Sequence, residues 1–302
     1  MPPMHENEIA LSIEQVKRIV GDQFPEWRGL AVRPVPGSGT VNRIFRLGEK
    51  LSARFPLVVD DPDERLEYLE IEFAAAQELL GKTRVPTPEP VAIGHAGGDY
   101  PGPWAVHTWL SGTPEANLDL SSSTALAMDV VEFITEVRDI PVLGRSFKGY
   151  GRGRDLKFSE EWMESCFIKS EGLLDVPRLR DVWSRIRELP REDPDLTTHG
   201  DLLATNLLVE NGALVGVLDA GGLGPADPAL DLMGVWGLFD DERRQLIRDE
   251  LNCSDLEWTR GQAWAFQQGL GPVWYYLDSN PTMSQLGRRA LERILDAWAA
   301  AG

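Results

Sequence analysis

The sequence predicts an α+β protein in two lobes: an antiparallel sheet with one main helix across residues 1–110, and a mostly helical lobe across 111–302. Three observations carry that expectation. Short alternating or β-branched runs between glycine-containing turns fill the first third, helical periodicity dominates beyond residue 112, and 302 residues exceed what one hydrophobic core ordinarily holds.

Ser12 and Gln15 spell a capping box, and Ile13, Val16, Ile19 and Val20 recur at helical spacing, so a first helix starts here and ends near Gly21. Runs at 30–35, 41–47 and 51–55, split by Gly37, Ser38 and Gly39 and then by Gly48, Glu49 and Lys50, read as a three-stranded antiparallel meander. From 63 to 80, Leu66, Leu69, Phe73, Ala76 and Leu80 mark an amphipathic helix that Gly81 terminates. Pro86, Pro88 and Pro90 then form an extended connector, 104–110 reads as a strand, and Ser111, Gly112, Thr113 and Pro114 break it at the lobe boundary. Helical segments follow near 121–139, 158–173, 178–188, 240–251, 255–278 and 283–300. Among them sits one hairpin, with Asn211-Gly212 as the turn between strands at 207–209 and 214–218.

Hydrophobic residues at 42% and charged residues at 26% exclude a disordered chain. The formal charge of −18 repels nucleic acid and anionic membrane surfaces and attracts cations, although acidity also serves solubility alone. Cys166 and Cys253 are the only cysteines, too few for a disulfide framework or a Cys-x-x-Cys metal site, which fits a reducing cytoplasm. The first residues carry acids where a signal peptide needs a basic segment, and no run nears ~18 consecutive apolar residues. A cytoplasmic protein without nucleic-acid or membrane partners is expected, as monomer or dimer.

The chemistry concentrates in residues 198–232: His199-Gly200-Asp201, Asn206 after four intervening residues, and Asp219 at the far end of the hairpin. Phosphoryl transfer needs a carboxylate beside the attacking hydroxyl and oxygen ligands for Mg²⁺. A loop holding Asp201, with Asn206 before one hairpin strand and Asp219 after the other, would bring the two metal ligands side by side.

In this segment, His-Gly-Asp-x4-Asn is followed by Asp219-Ala220-Gly221 and by Asp227-Pro228-Ala229-Leu230-Asp231-Leu232, and it resembles the signature of the aminoglycoside phosphotransferase family. The likeness extends over nearly the whole chain. The resemblance implies a bilobal protein-kinase-like fold and transfer of the γ-phosphate of ATP or GTP to a small-molecule hydroxyl, with Asp201 as the catalytic base and Mg²⁺ on Asn206 and Asp219. It further implies a nucleotide-covering loop at Ser38, Gly39 and Thr40, phosphate contact by Arg54 paired with Glu72, and a hinge whose Thr108 and Leu110 backbone meets the purine edge. His107 would gate the purine pocket or simply pack. His199 braces the loop, Asp231 caps or fixes a loop, and Asp227 is open between such a role and a functional one. Ala220 and Gly222 depart from the family pattern without removing a catalytic group.

The resemblance and the acidic charge point to a cationic, aminoglycoside-like acceptor. A macrolide, peptide antibiotic, choline, homoserine or sugar acceptor, or a non-catalytic nucleotide-binding pseudokinase, stays open. Acceptor binding is expected in the C-terminal half, where Asp240, Asp241, Glu242, Asp255, Glu257 and Asp278 alternate with Trp236, Trp258, Trp264, Trp274, Tyr275 and Tyr276. Aromatics at helical spacing are also the ordinary content of a core.

Overall fold

In the computed structural model, which describes residues 7–35, 40–149 and 152–301, the chain divides into two compact units. Residues up to Leu80 join Thr87–Ser111 in the first, and Gly81–Pro86 joins the chain from Gly112 onward in the second. A boundary at 110/111 treats the halves as consecutive blocks, whereas Gly81–Pro86 crosses over. Charge and backbone pairing explain why: Arg84 pairs with Asp129 and Glu132 at 2.9 and 2.6 Å, and the Pro86 carbonyl accepts from the Val217 amide at 3.1 Å.

In the first unit, β1 (Val32–Pro34), β2 (Asn42–Leu47), β3 (Leu51–Pro56), β4 (Pro90–Gly94) and β5 (Trp104–Thr108) form an antiparallel sheet in the order β1-β2-β3-β5-β4. The proline-rich connector thus contributes β4, and Pro90 is tolerated because β4 lies at the sheet edge. Alternation along β3 sorts the two faces. Ala53 and Phe55 join Phe45, Leu47, Trp104 and Val106 in a core closed by Val16, Ile19 and Val20 of helix α1 (Ile13–Gln23). The capping box at Ser12 and Gln15 starts that helix as the sequence predicts. Ser52, Arg54 and His107 point the other way, beneath α2 (Pro62–Leu79), whose Phe73 ring lies 5.1 Å from the His107 ring. The two helices expected from the sequence therefore pack on opposite faces of the sheet.

The second unit begins with β6 (Thr113–Pro114), which pairs with the hairpin of β8 (Leu207–Glu210) and β9 (Ala213–Val217). Asn211 and Gly212 both take positive φ, 53° and 81°, as the tight hairpin turn requires. β7 (Leu196–Thr198) pairs with β10 (Gly224–Ala226) and so ties the chain before the hairpin to the chain after it. Helices α3 (Thr124–Arg138), α4 (Glu160–Lys169), α5 (Val176–Ile186), α6 (Met233–Leu238), α7 (Asp241–Glu250), α8 (Asp255–Tyr275) and α9 (Pro281–Ala301) make up most of the rest. Trp264, Phe266, Leu270 and Val273 of α8 pack with Leu291 and Ile294 of α9 in its core. Helix α6 escaped sequence reading because it is short and apolar on every side, so it has no period to detect. Among the described residues no helix is long and apolar enough to cross a membrane.

Candidate functional site

The loop between β7 and β8 is built around a buried carboxylate. Asp231, in the single-turn helix Pro228–Leu232, accepts from the amides of His199 at 2.9 Å and Gly200 at 2.8 Å. The β7–β10 pairing delivers both partners, since Thr198 faces Gly224 just before the turn that carries Asp231. Gly200 sits at φ +79°, where side chains are strained, and a Cβ there would lie 3.1 Å from the Gly222 carbonyl oxygen. Helix α6 supports the loop from below. A Cβ on Gly234 would fall 1.6 Å from the Leu202 carbonyl oxygen, so only glycine lets the helix approach this closely.

Asp201 is held at both carboxylate oxygens. Asn206 Nδ2 donates to Oδ2 and to the Asp201 carbonyl, each at 2.9 Å, while the Arg152 guanidinium pairs with Oδ1 and donates to the Gly200 carbonyl at 3.2 Å. The Leu218 amide donates to the Asn206 carbonyl at 2.7 Å, which brings Asp219 back beside Asn206 as the hairpin spacing predicts. Asp219 itself adopts a left-handed conformation, φ 65° and ψ 54°, a strained choice for a non-glycine residue and one that recurs at functional sites.

Burial pushes the Asp201 carboxyl up from its ordinary range; Arg152 pulls it down, and the nearby Asp219 charge pushes it up again. Asn206 spends its nitrogen on Asp201, which leaves its carboxamide oxygen as the remaining ligating atom. With the Asp219 carboxylate, that is a hard-oxygen donor set suited to Mg²⁺. No cluster of three or more His, Cys, Asp or Glu able to hold a metal by protein groups alone occurs among the described residues.

His199 is fully buried, and burial lowers its pKa against the pull of Asp231, Asp219 and the Leu218 carbonyl. The neutral ring packs 5.8 Å from Phe133 and accepts from the Asp201 amide through Nδ1 at 3.3 Å. It fixes the loop. Asp227, the open case, is buried and structural: it pairs with Arg260 at 2.5 Å, accepts from Trp264 Nε1 at 3.1 Å and caps the amide of Ala229 at 3.1 Å.

In the first unit, Arg54 lies on the sheet face that α2 covers, the helix that also carries Glu72. Thr40 is a half-buried bend before β2, whereas Ser38 and Gly39 lie outside the described residues. The Thr108 amide donates to the Glu89 carbonyl at 2.9 Å, so it is already committed within the sheet edge, and half-buried Leu110 follows the end of β5. His107 is buried against Phe73 and serves packing.

Five of the six C-terminal acids named above, all but Asp278, pair with arginines. Asp240 and Glu242 pair with Arg243 at 3.1 and 2.9 Å, Asp241 with Arg244 at 3.0 Å, Asp255 with Arg248, and Glu257 with Arg138 at 2.7 Å. Trp236 and Trp264 are core residues, and Trp258 packs on Trp236 with centroids 5.5 Å apart. Arg152 is the site residue that sequence reading missed. It lies 49 residues before Asp201, and its sole signal is a basic Arg-Gly-Arg stretch at 152–154 in an acidic chain.

A sheet-and-helix unit followed by a helical unit whose His-Gly-Asp loop leads into a hairpin is the architecture of a kinase-like phosphotransferase. The chain belongs to the phosphotransferase enzyme family, whose sequence model matches residues 32–298. It is 37% identical over 64 residues to aminoglycoside 3'-phosphotransferase of Escherichia coli; that stretch is 21% of this chain and 24% of the relative, so the match spans about a quarter of that protein's length. Its fold is similar to the GDP complex of aminoglycoside 2'-phosphotransferase-IIIa, with TM-score 0.70, 18% identity and coverage of 95% of this chain and 100% of that one. It is also similar to macrolide 2'-phosphotransferase MphH from Brachybacterium faecium, with TM-score 0.59, 17% identity and coverage of 92% and 97%.

Proposed function

We propose that this protein transfers the γ-phosphate of ATP or GTP to a hydroxyl of an antibiotic-type small molecule, with an aminoglycoside as the first acceptor to test. The observation that carries the reading is the Asp201 carboxylate, fixed at both oxygens beside Asn206 and Asp219 in a chain of the phosphotransferase family. Asp201 accepts the proton of the acceptor hydroxyl as the oxygen attacks phosphorus. Asn206 and Asp219 would hold Mg²⁺, which would supply positive charge to offset that of the nucleotide phosphates. Arg54, braced by Glu72, contacts the phosphates, with Ser38, Gly39 and Thr40 covering them. The purine edge meets the Thr108 carbonyl and the Leu110 backbone, because the Thr108 amide is spent on Glu89.

A macrolide acceptor is the second reading. The pairing of Asp240, Asp241, Glu242, Asp255 and Glu257 with arginines favours it, since acids already partnered within the chain offer less to a polycation. One experiment separates the two. Purified protein is incubated with Mg²⁺ and ATP or GTP against aminoglycosides, macrolides and the smaller alcohols, and acceptor masses are read for a gain of about 80 Da, one phosphoryl group. Gain on an aminoglycoside, absent in Asp201→Ala, supports the first reading. Gain confined to a macrolide supports the second, and no gain on any acceptor overturns both.

A further inference from the structure

We propose that Arg152 is a positioning residue for this reaction: anchored on the Gly200 carbonyl, its guanidinium clamps one oxygen of Asp201 while Asn206 clamps the other, so the acceptor hydroxyl meets a base of fixed direction. The inference rests on the phosphotransfer reading and deepens it. A carboxylate accepts at about four lone-pair positions. Arg152 takes one at Oδ1 and Asn206 one at Oδ2, which leaves room on each oxygen for an incoming hydroxyl while removing rotation of the side chain. One terminal nitrogen of the guanidinium, Nη1, serves both contacts, its two N–H bonds reaching the Gly200 carbonyl and the Asp201 carboxylate.

The segment around Arg152 is anchored independently of Asp201. Arg191 donates to the Gly153 carbonyl at 3.5 Å and pairs with Asp195, whose carboxylate also accepts from the Phe147 amide at 2.6 Å. Gly153 packs so tightly that a Cβ would come 2.9 Å from the Cβ of Ala226, on the strand next to β7. Arg152 is therefore delivered to the loop by its own scaffold. Its side chain is 37% exposed, so no core packing accounts for its placement.

The test compares wild-type, Arg152→Ala, Arg152→Lys and Asp201→Ala proteins by steady-state kinetics on the phosphorylated acceptor, nucleotide calorimetry and thermal melting. Arg152→Ala is expected to lose about 100-fold in kcat, the cost of a misdirected reacting group, with acceptor KM and nucleotide Kd within about threefold of wild type. Arg152→Lys should lose less. Millimolar guanidinium should restore part of the activity of Arg152→Ala and none of that of Asp201→Ala, a rescue that a purely structural arginine would not give. If Arg152→Ala melts early, the kinetics of Arg152→Lys and the rescue decide. The role is overturned by a kcat within about threefold of wild type in Arg152→Ala, by a loss confined to KM, or by failure of guanidinium to rescue. A wild-type protein that transfers no phosphoryl group would instead overturn the underlying reading.

Discussion

Asn206 grips Asp201 twice through one nitrogen, with Nδ2 2.9 Å from both the main-chain carbonyl and Oδ2 of Asp201. The four-residue spacing thus closes a small ring that sets the carboxylate and, through the Leu218 amide on the Asn206 carbonyl, the start of the segment bearing Asp219. Replacing Asn206 by alanine removes the clamp and a proposed Mg²⁺ ligand together. Phosphotransferase kcat should fall by about 10²- to 10³-fold, the scale seen when one preorganised electrostatic group is lost. Steady-state rates across a Mg²⁺ titration check this, and wild-type kcat at every Mg²⁺ concentration would remove Asn206 from both roles.

Asp231 should matter for stability rather than chemistry. Truncation to alanine leaves the buried amides of His199 and Gly200 without their acceptor, at a cost of about 2–4 kcal/mol for a charged hydrogen-bond partner. Asp231→Asn should cost less, because its carbonyl oxygen still accepts one of the two bonds. Urea unfolding gives the comparison: the midpoint should drop most for alanine and less for asparagine. Equal midpoints for alanine and wild type would show that these amides find another partner.

Much of this was legible in the sequence because the signals are local. The Ser12 cap and the Asn211-Gly212 turn appear where expected, and the step from Asp201 to Asn206 closes through one side-chain hydrogen bond, because each acts within a few residues. What escaped is long-range. Arg152 reaches Asp201 from 49 residues away, and Arg84 draws a proline-flanked connector into the second unit through acids on α3. The acids of the C-terminal half looked like cation receptors because sequence displays their charge and hides the arginines that pair with them. Composition reports residues, whereas pairing is a property of the fold.

Gly234 offers a separate test of how α6 supports the catalytic loop. The atom a new Cβ would strike, the Leu202 carbonyl oxygen, is backbone and cannot swing away as a long side chain could. Gly234→Ala should therefore cost about 1–3 kcal/mol of stability through overpacking and shift the loop that carries Asp201. An accompanying fall of about tenfold or more in kcat is expected from that displacement. Gly237 in the same helix supplies the control, since a Cβ there meets nothing within 4 Å. Gly237→Ala should leave kcat unchanged and, by helix propensity, stabilise slightly. Identical behaviour of the two variants would mean that α6 does not set the loop.

The two cysteines should be slow to alkylate in the folded protein. Burial pushes the Cys253 thiol up to about 12 from an ordinary 9, with neighbouring Glu257 adding to the rise, and burial also raises Cys166. The thiolate is the reactive form, so at pH 8 a rise of that size cuts its population at Cys253 by roughly a thousandfold relative to an unperturbed thiol. Because the raised pKa lies above the working range, raising the pH from 7 to 9 should increase the alkylation rate about tenfold per unit without reaching a plateau. Iodoacetamide labelling followed by peptide mass analysis measures the rate at each site, with protein unfolded in urea as the reference. Cys166, fully buried among Met163, Trp183 and Phe266 in the helical core, should label only when that core opens. Rapid labelling of Cys253 at pH 7, matching the unfolded chain, would show that the segment between α7 and α8 does not shield its thiol.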